Sequence, residues 1–358
     1  MTYPGTIRRK TFQFGPIQSR VLFGSGTRKS LEEELATAGL SRIMVLTTPG
    51  RAVLADEVRS LAGSRVAGVF NGAAMHTPVE VTDKALRELE TLKADGILAI
   101  GGGSTIGLGK ALAARTGLPQ TVLPTTYSGS EMTPILGETK DGIKTTRSGP
   151  EILPGTVIYD VELTHGLPVA TSVTSGINAI AHGIEALYAV NGNPVVDTLA
   201  LEGISALVKA LPDIVEDQAS DTGRENALYG AWLCGICLGS VGMALHHKLC
   251  HVLGGSFGLP HAETHTVVLP HALAYNAPAI PAVIERLQPV LGTDPARGLQ
   301  DFARRLGAPK SLAEIGMPQD GIDKATELAL KARYPNPRPL EAEAIRSTLN
   351  RAWSGGPA

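Results

Sequence analysis

The first 160 residues alternate short apolar runs with longer amphipathic stretches. Intervening stretches such as residues 81–94 repeat their apolar positions with helical periodicity. Because strands that alternate with helices form parallel sheets covered by helices, we expect a Rossmann-like nucleotide-binding domain of residues 1–160. Residues 11–14 and 20–23 also predict a pair of short strands, at an edge that a partner chain could extend. The predicted strands of the sheet itself are residues 42–48, 66–70, 96–100, 121–124 and 157–159.

The pattern changes after Asp160, where helical periodicity replaces the strand-like runs. We therefore predict an all-α domain of residues 161–358, packed tightly against the first domain with a cleft between the two. Prolines are expected to separate its helices, and these are Pro168, Pro194, Pro212, Pro260, Pro270 and Pro337. The predicted helices are residues 172–190, 195–211, 224–252, 281–291, 298–306, 322–331 and 341–352.

The bulk composition favours a soluble two-domain protein. A chain of 358 residues with 43% hydrophobic content can bury a large core. Its 32 basic and 34 acidic residues give no basic field for nucleic acid. The amino-terminal residues lack the apolar core of a signal peptide, and three cysteines favour a reducing compartment. We expect a cytoplasmic protein that binds neither nucleic acid nor a membrane.

One uncharged stretch, residues 227–245, approaches the length of a membrane span. Glycines lower its hydrophobicity and polar residues follow it directly, so it predicts a buried helix. Cys234 and Cys237 form a C-x-x-C within this stretch, without the second pair that a four-cysteine zinc site requires. We interpret them as buried, packed thiols.

A glycine-rich loop follows the predicted strand at residues 96–100 and opens a helix. Glycine lets the backbone approach a ligand closely, and a helix amino terminus offers unpaired N–H groups and a partial positive charge to a pyrophosphate. The order of residues fits neither the G-x-G-x-x-G nor the Walker pattern. The loop residues predicted to bind a dinucleotide are Gly101, Gly102, Gly103, Ser104 and Thr105.

Two other strand ends carry hydroxyl side chains that we expect to line the same nucleotide. Thr47 and Thr48 end an earlier strand where the adenosine ribose should lie. With no acidic side chain there and Arg51 nearby, both NADH and NADPH are expected to bind. The remaining candidates for cofactor contact are Thr125, Thr126, Ser128, Ser130 and, for the ribose, Lys144.

A group of polar side chains in the second half has helical spacing. Asn178 and His182 are four residues apart, as are His247 and His251, so each pair shares one face of a helix. His261 follows a Gly/Pro break. The spacing predicts a four-group pocket built from two helices and a loop.

These motifs together resemble the iron-containing alcohol dehydrogenase family over essentially the whole chain. The resemblance implies a dehydroquinate synthase-like fold, a homodimer, and cofactor contacts from Gly101 to Ser104 and from Thr125, Thr126 and Ser130. It also implies metal ligands at His182, His247 and His261, with His251 beside the nicotinamide.

Two positions depart from the family pattern, since Asn178 and Gly107 stand where aspartates are usual. Both departures resemble a branch of the family that reduces the activated C=C bond of maleylacetate to give 3-oxoadipate with NAD(P)H, in the breakdown of aromatic and chloroaromatic compounds. The segments Met75-His-Thr-Pro78 and His246-His-Lys-Leu-Cys-His251 resemble the same branch.

The loss of the aspartate at position 178 predicts a change in chemistry. A neutral amide weakens a metal site made otherwise of imidazoles, so we expect that no metal is required. It also removes a charge that would repel a dicarboxylate substrate. Imidazoles can instead donate hydrogen bonds to substrate and enolate, with His182, His247 or His261 as the donor and His251 or a water as the proton source. Further candidates for substrate contact are Asn178, His246, Lys248, Tyr127 and His76.

Other interpretations of the sequence stay open. The first is a metal-dependent alcohol dehydrogenase for small alcohols or aldehydes, with iron or zinc held by the three histidines. A nucleotide sensor without catalysis is the second. Glu185, one turn after His182, could orient that imidazole or cap a polar face. We interpret His165, His265 and His271 as structural.

Overall fold

The computed structural model describes residues 12–15, 18–141, 143–331 and 333–358, without the side chains of residues 143 and 144. It divides into two compact units. The α/β unit contains residues 18–172 and 213–228, and the helical unit contains residues 173–212 and 229–358 together with 12–15. The two domains predicted from the sequence, residues 1–160 and 161–358, remain a prediction.

The α/β unit is built on a six-stranded parallel sheet in the order β1-β8-β5-β4-β2-β3. All five predicted sheet strands are present within one or two residues of their expected ends. A separate antiparallel hairpin, β6 and β7, was not predicted. The strands are β1 (Arg20–Phe23), β2 (Ile43–Leu46), β3 (Val66–Phe70), β4 (Gly96–Gly101), β5 (Gln120–Pro124), β6 (Ile135–Lys140), β7 (Ile143–Ser148) and β8 (Thr156–Tyr159).

Helices cover both faces of this sheet, as the alternating sequence pattern predicts. Successive residues of β2 show why: Ile43 and Val45 pack in one core cluster, whereas Met44 and Leu46 pack in the other. The first cluster includes side chains of α1 and α2, and the second includes side chains of α3 and α4. These helices are α1 (Leu31–Thr37), α2 (Ala52–Ala62), α3 (Val79–Leu92) and α4 (Gly103–Thr116).

The expected strand pair at the amino end was wrong. β1 pairs in parallel with β8, with Arg20 opposite Thr156, and residues 12–15 form no strand. Thr11, the first residue of the predicted pair, lies outside the described residues. The parallel partner is distant in sequence, so local alternation could not reveal it.

The helices of the second half differ from prediction at three places, one of which is a helix at His261–Asn276 that was not predicted. The stretch predicted as one helix over 224–252 is two helices that meet at 95°. Pro212 and Pro270 lie inside helices and do not separate them. The helices are α5 (Val169–Leu187), α6 (Pro194–Glu216), α7 (Asp221–Ser240), α8 (Leu245–Phe257), α9 (His261–Asn276), α10 (Pro281–Leu291), α11 (Pro295–Arg305), α12 (Gly321–Leu330) and α13 (Ala342–Ser354).

The uncharged stretch is buried, as predicted. In the described part of the chain no single helix has the length and apolarity to span a bilayer, although the bent pair α7 and α8 reaches that length and apolarity together. Cys234 and Cys237 are free and buried, and burial raises the pKa of the Cys234 thiol to about 12. Both cysteines therefore pack as neutral thiols.

Candidate functional site

The glycine loop lies between β4 and α4, as predicted. Gly101 has a φ of 151°, and a side chain there would bring its Cβ within 2.5 Å of Thr105 Oγ1. A Cβ on Gly102 would lie 2.8 Å from Thr126 Cγ2. The N–H of Thr125 donates to Gly101 O at 3.1 Å. The glycines therefore let the two predicted cofactor loops touch.

Three buried hydroxyls around these loops lack a hydrogen-bond partner among the residues that the structure describes. They belong to Thr47, Thr105 and Thr126, all of which were predicted to contact the cofactor. A buried hydroxyl without a partner is costly, so a polar ligand or water is expected to satisfy it. Thr48, Ser104, Thr125, Ser128 and Ser130 are half-buried around them. Together with the amino terminus of α4, these residues fit a dinucleotide phosphate.

Gly107 faces Thr77 in the same unit. A Cβ at Gly107 would overlap Thr77 Oγ1. Thr77 and His76 both have positive φ values, 47° and 63°, a strained conformation that often marks functional segments. Thr77 is buried and His76 half-buried. The hydroxyl of Thr77 thus occupies the space that an aspartate side chain at position 107 would need.

Two further predicted site residues, Tyr127 and Lys144, belong to the α/β unit. Tyr127 is fully buried, and its hydroxyl accepts a hydrogen bond from the buried guanidinium of Arg224 at 3.2 Å. Arg224 also donates to Ser172 Oγ at 2.8 Å. Lys144 lies on β7, and its side chain is outside the described part of the structure.

Histidines from three helices gather within the helical unit. α5 carries Asn178 and His182, α8 carries His246, His247 and His251, and α9 carries His261 and His265. The expected loop position of His261 was wrong, because this residue begins α9 directly after Pro260. A proline just before a helix does not disturb its hydrogen bonds.

The cluster is centred on two rings. The ring of His247 lies 5.0 Å from the rings of both His182 and His265 and 6.3 Å from that of His251. The ring of His265 lies 4.4 Å from that of His261 and 4.8 Å from that of His246. The structure therefore brings together the histidines predicted from spacing, and it adds His265.

A hydrogen-bonded chain runs through the buried side of the cluster. His247 Nδ1 donates to Glu185 Oε2 at 2.7 Å. Nδ1 of His182 lies 2.9 Å from Nε2 of His247, and Nδ2 of Asn178 lies 3.4 Å from Nε2 of His182. The Glu185 carboxylate also accepts N–H bonds from Ala244 at 2.9 Å and from His246 at 2.8 Å, at the start of α8.

Burial controls the charge of these groups. Burial raises the pKa of Glu185, but the hydrogen bond from His247 and the backbone donors outweigh it, and the pKa is lowered overall. Burial, followed by the neighbouring imidazoles, lowers the pKa of His246 and His265 well below the ordinary value. The buried cluster thus contains the Glu185 carboxylate and the neutral imidazoles of His246 and His265.

The other side of the cluster is open to solvent. His251 and His261 are exposed and Lys248 is half-buried, with its ammonium 6.0 Å from the centre of the Tyr334 ring. Asn178 and His182 are each only 2% exposed, and Asn178 Oδ1 is buried without a protein partner. The exposed imidazoles are the ones able to exchange protons with water.

The three predicted metal ligands do not converge on one point. His247 Nε2 and His182 Nδ1 are engaged with each other. Among the described residues, the trio of ligating side chains whose atoms lie within 4.8 Å of one another is His246, Cys250 and His265. Burial raises the pKa of the Cys250 thiol well above its ordinary value. The expected ligands His182, His247 and His261 form no such group in this arrangement, so that set does not fit a metal ion.

Sequence reasoning missed the place of two residues in this site. His265 lies four residues after His261 on α9, a spacing that would have grouped them. Glu185 was expected to orient His182 or to cap a polar face, and it bonds instead to His247 and to the start of α8. Nothing in the local sequence marks that second contact.

Comparisons with known proteins show the family of this chain. Residues 18–161 match the iron-containing alcohol dehydrogenase family, and residues 172–353 match the family's carboxy-terminal domain. The chain is 52% identical to maleylacetate reductase of Rhizobium sp. (strain MTP-10005), covering 96% of this chain and 98% of that protein. It is 53% identical to maleylacetate reductase of Burkholderia cepacia, covering 94% and 96%.

Solved structures also resemble this chain over nearly its whole length. The crystal structure of the Rhizobium enzyme superposes with a TM-score of 0.94 at 51% identity, covering 98% of this chain and 100% of that one. A putative alcohol dehydrogenase from Ralstonia eutropha JMP134 superposes with a TM-score of 0.96 at 49% identity, with the same coverage. The chain therefore belongs to the iron-containing alcohol dehydrogenase family.

Proposed function

We propose that this chain reduces the activated C=C bond of maleylacetate with NADH or NADPH, giving 3-oxoadipate. The observation that carries the proposal is the hydrogen-bonded set Asn178–His182–His247, which ends on a buried carboxylate, Glu185. The named relatives at 52% and 53% identity over nearly the whole chain support this substrate.

The α/β unit supplies a cofactor site. The unpartnered hydroxyls of Thr47, Thr105 and Thr126 and the amino terminus of α4 suit a bound pyrophosphate and ribose. The end of β2 carries Thr47 and Thr48 and no acidic side chain, with Arg51 close by. A 2′-phosphate meets no carboxylate there, so we propose that NADH and NADPH are both used.

The reaction follows from the polarity of a double bond conjugated to a ketone. A reduced nicotinamide bound at the cofactor site would supply the hydride, which would add to the carbon β to the ketone. The π electrons of the double bond move to the ketone oxygen, and the resulting enolate needs a hydrogen-bond donor. A proton then adds to the carbon α to the ketone, which lies between the β carbon and the ketone carbon. We assign delivery of this proton to the exposed imidazole of His251.

An uncharged residue at position 178 suits a dianionic substrate. A carboxylate about 4 Å from one end of the substrate would cost on the order of 4 kcal/mol at an effective dielectric constant of about 20. Asn178 removes that repulsion, and the exposed His261 and the half-buried Lys248 offer donors to carboxylates. We propose that turnover needs no metal, because the three expected ligands do not converge.

We also propose a homodimer working in the cytoplasm. The family resemblance supports the dimer, and three free, buried cysteines suit a reducing compartment. Light scattering after size-exclusion chromatography measures the assembly directly; a monomeric mass would contradict it.

The decisive experiment follows NADH oxidation with maleylacetate and, separately, with a panel of small aldehydes. Each substrate is tested with and without a strong chelator. We expect turnover with maleylacetate that survives chelation. Turnover of aldehydes alone, lost with chelator and restored by iron or zinc, would establish the rival metal-dependent alcohol dehydrogenase.

A further inference from the structure

Lys110 is a fully buried lysine in the middle of α4, the helix that begins at the glycine loop. Its side chain is 1% exposed. An ammonium without water requires hydrogen-bond acceptors around it. Lys110 Nζ donates to Ser130 O at 2.5 Å, to Thr133 Oγ1 at 2.8 Å and to Ile135 O at 3.0 Å.

All three acceptors lie in one segment, residues 130–135, which directly follows the second cofactor loop. Gly129 turns the chain with a φ of 72° into a short 3-10 helix at Ser130–Met132. Thr133 Oγ1 donates in turn to Ser130 O at 3.1 Å. The Lys110 amino group, surrounded by these three acceptors, therefore closes this turn from within.

The same helix holds the second loop at another point. At the start of α4, Gly101 O accepts the N–H of Thr125 at 3.1 Å, and Gly102 lies against Thr126. Two turns later, Lys110 binds the segment in which that loop ends. The loop is thus attached to α4 at both of its ends.

A second buried group, the carboxylate of Glu131, contacts the middle of this loop. Glu131 is fully buried and accepts a hydrogen bond from Tyr159 of β8 at 2.9 Å. Its other oxygen accepts from Ser128 Oγ at 3.4 Å. Ser128 was predicted to contact the cofactor, so its hydroxyl is oriented by a residue next to the Lys110 contacts.

We propose that Lys110 is a positioning residue for the nicotinamide cofactor. It holds the loop of Thr125 to Ser130 against the glycine loop, so that the hydroxyl groups of this loop are already placed to bind the cofactor. The inference rests on the cofactor part of the proposed function. Lys110 acts through the backbone of residues 130–135 and need not touch the cofactor. A preordered loop binds more tightly because less order is lost on binding.

Lys110→Met tests this proposal, because methionine fills a similar volume and donates no hydrogen bond. Three buried acceptors then lose their donor, which the loop can relieve only by moving. We expect the Kd for NADH, measured by fluorescence without substrate, to rise roughly tenfold or more. At saturating NADH we expect kcat to stay within about twofold, because the acid–base groups are elsewhere.

Arg115→Met is the matched control, since Arg115 is a cation on the same helix that pairs with Glu138 at 2.7 Å and leaves the loop alone. Its Kd for NADH should match that of the unaltered protein. Hydrogen–deuterium exchange should rise in peptides covering residues 125–135 in Lys110→Met only. Equal weakening by both variants would reduce the role of Lys110 to general stability and overturn the proposal.

Thr133→Val provides a second test if Lys110→Met fails to fold. It keeps the shape of Thr133 and removes one of the three acceptors, so we expect a smaller rise in Kd, roughly threefold. An unchanged Kd in both folded variants would refute the proposal. NADH binding without maleylacetate turnover would sink the substrate assignment alone, whereas no binding of NADH or NADPH would sink both.

Discussion

Glu185 Oε2 and His247 Nδ1 lie 2.7 Å apart, and this contact sets the positions of the protons along the buried chain. An ionised carboxylate only accepts hydrogen bonds, so His247 Nδ1 carries the proton. At the other end of the chain, Asn178 Nδ2 can only donate, so His182 Nε2 accepts from it. His182 Nδ1 is then the donor to His247 Nε2 at 2.9 Å.

Replacing Glu185 by glutamine should destabilise the protein. Both oxygens accept backbone N–H groups at the start of α8, so either orientation of the amide places a donor against a donor. We expect a loss of about 1–3 kcal/mol in the free energy of unfolding, together with reduced turnover. Thermal and urea unfolding measure it, with Glu285→Gln on the exposed side of α10 as control. Equal stability of the two variants would contradict the hydrogen bonds that we assign to Glu185.

Asn178→Asp should convert the chain into a cation site. A carboxylate at position 178 would need a donor at His182 Nε2, while His182 Nδ1 already donates to His247. An added proton or a metal ion would supply the missing positive charge. We expect divalent-metal binding to increase and the KM for maleylacetate to rise roughly tenfold or more.

Elemental analysis after loading with zinc and desalting reads out the metal, and steady-state kinetics read out the substrate. Asn178→Leu serves as the control, since it removes the amide donor without adding charge. A variant with aspartate that binds no more metal than Asn178→Leu, and keeps its KM for maleylacetate, would show that charge at this position does not govern the site.

Much of the fold could be predicted because its signals are local. The apolar runs that became β2 to β5 and β8 are separated by helix-length stretches, and glycines mark the turn into α4. The four-residue spacing of Asn178 and His182 placed both on one face of α5, and the structure shows their side chains 3.4 Å apart.

The remainder depends on contacts between distant residues. The turn between α7 and α8 is fixed by Glu185, about sixty residues earlier in the chain, which caps the start of α8. Lys110 resembles any helical lysine in the sequence, and only the packing of residues 130–135 reveals its burial. Pro270 remains within α9 because the surrounding residues are buried on every side, which outweighs one lost hydrogen bond.

Gly107→Ala should disturb the glycine loop through a single contact. Its Cβ would overlap the Thr77 hydroxyl, which the strained backbone of residues 76 and 77 holds in place. We expect a loss of about 1–3 kcal/mol in stability and weaker cofactor binding. Thr77→Ala alone should be mild, and the double variant should recover most of the loss. A double variant as impaired as Gly107→Ala would place the cause elsewhere.

His251→Ala should lower turnover by roughly 10²-fold or more if His251 delivers the proton to carbon. The side chain is exposed, and its ring centre is 6.3 Å from that of His247, so its loss leaves no cavity in the core. We therefore expect steady-state kinetics to show a reduced kcat and thermal unfolding to show unchanged stability. His165→Ala, which removes an imidazole paired with Asp221, is the control, and near-normal kcat in His251→Ala would remove His251 from the role.

Lys110 also predicts how stability varies with pH. Burial lowers the pKa of Lys110 from 10.5 to about 7, although the nearby Glu131 opposes the shift. Glu131 bonds to Tyr159, and burial raises the pKa of both groups. Between about pH 7 and about pH 10.5 the unfolded chain keeps the Lys110 proton and the folded chain releases it. The free energy of unfolding should therefore rise with pH across that range, by at most about 1.4 kcal/mol per pH unit. This contribution is lost again as the pH falls towards 7.

Urea unfolding at several pH values measures how steeply the free energy of unfolding rises with pH. Lys110→Met should reduce this slope, and the exposed-lysine variant Lys209→Met should keep it. Identical slopes in all three proteins would mean that the buried ammonium keeps its proton throughout, held by the three acceptors of residues 130–135.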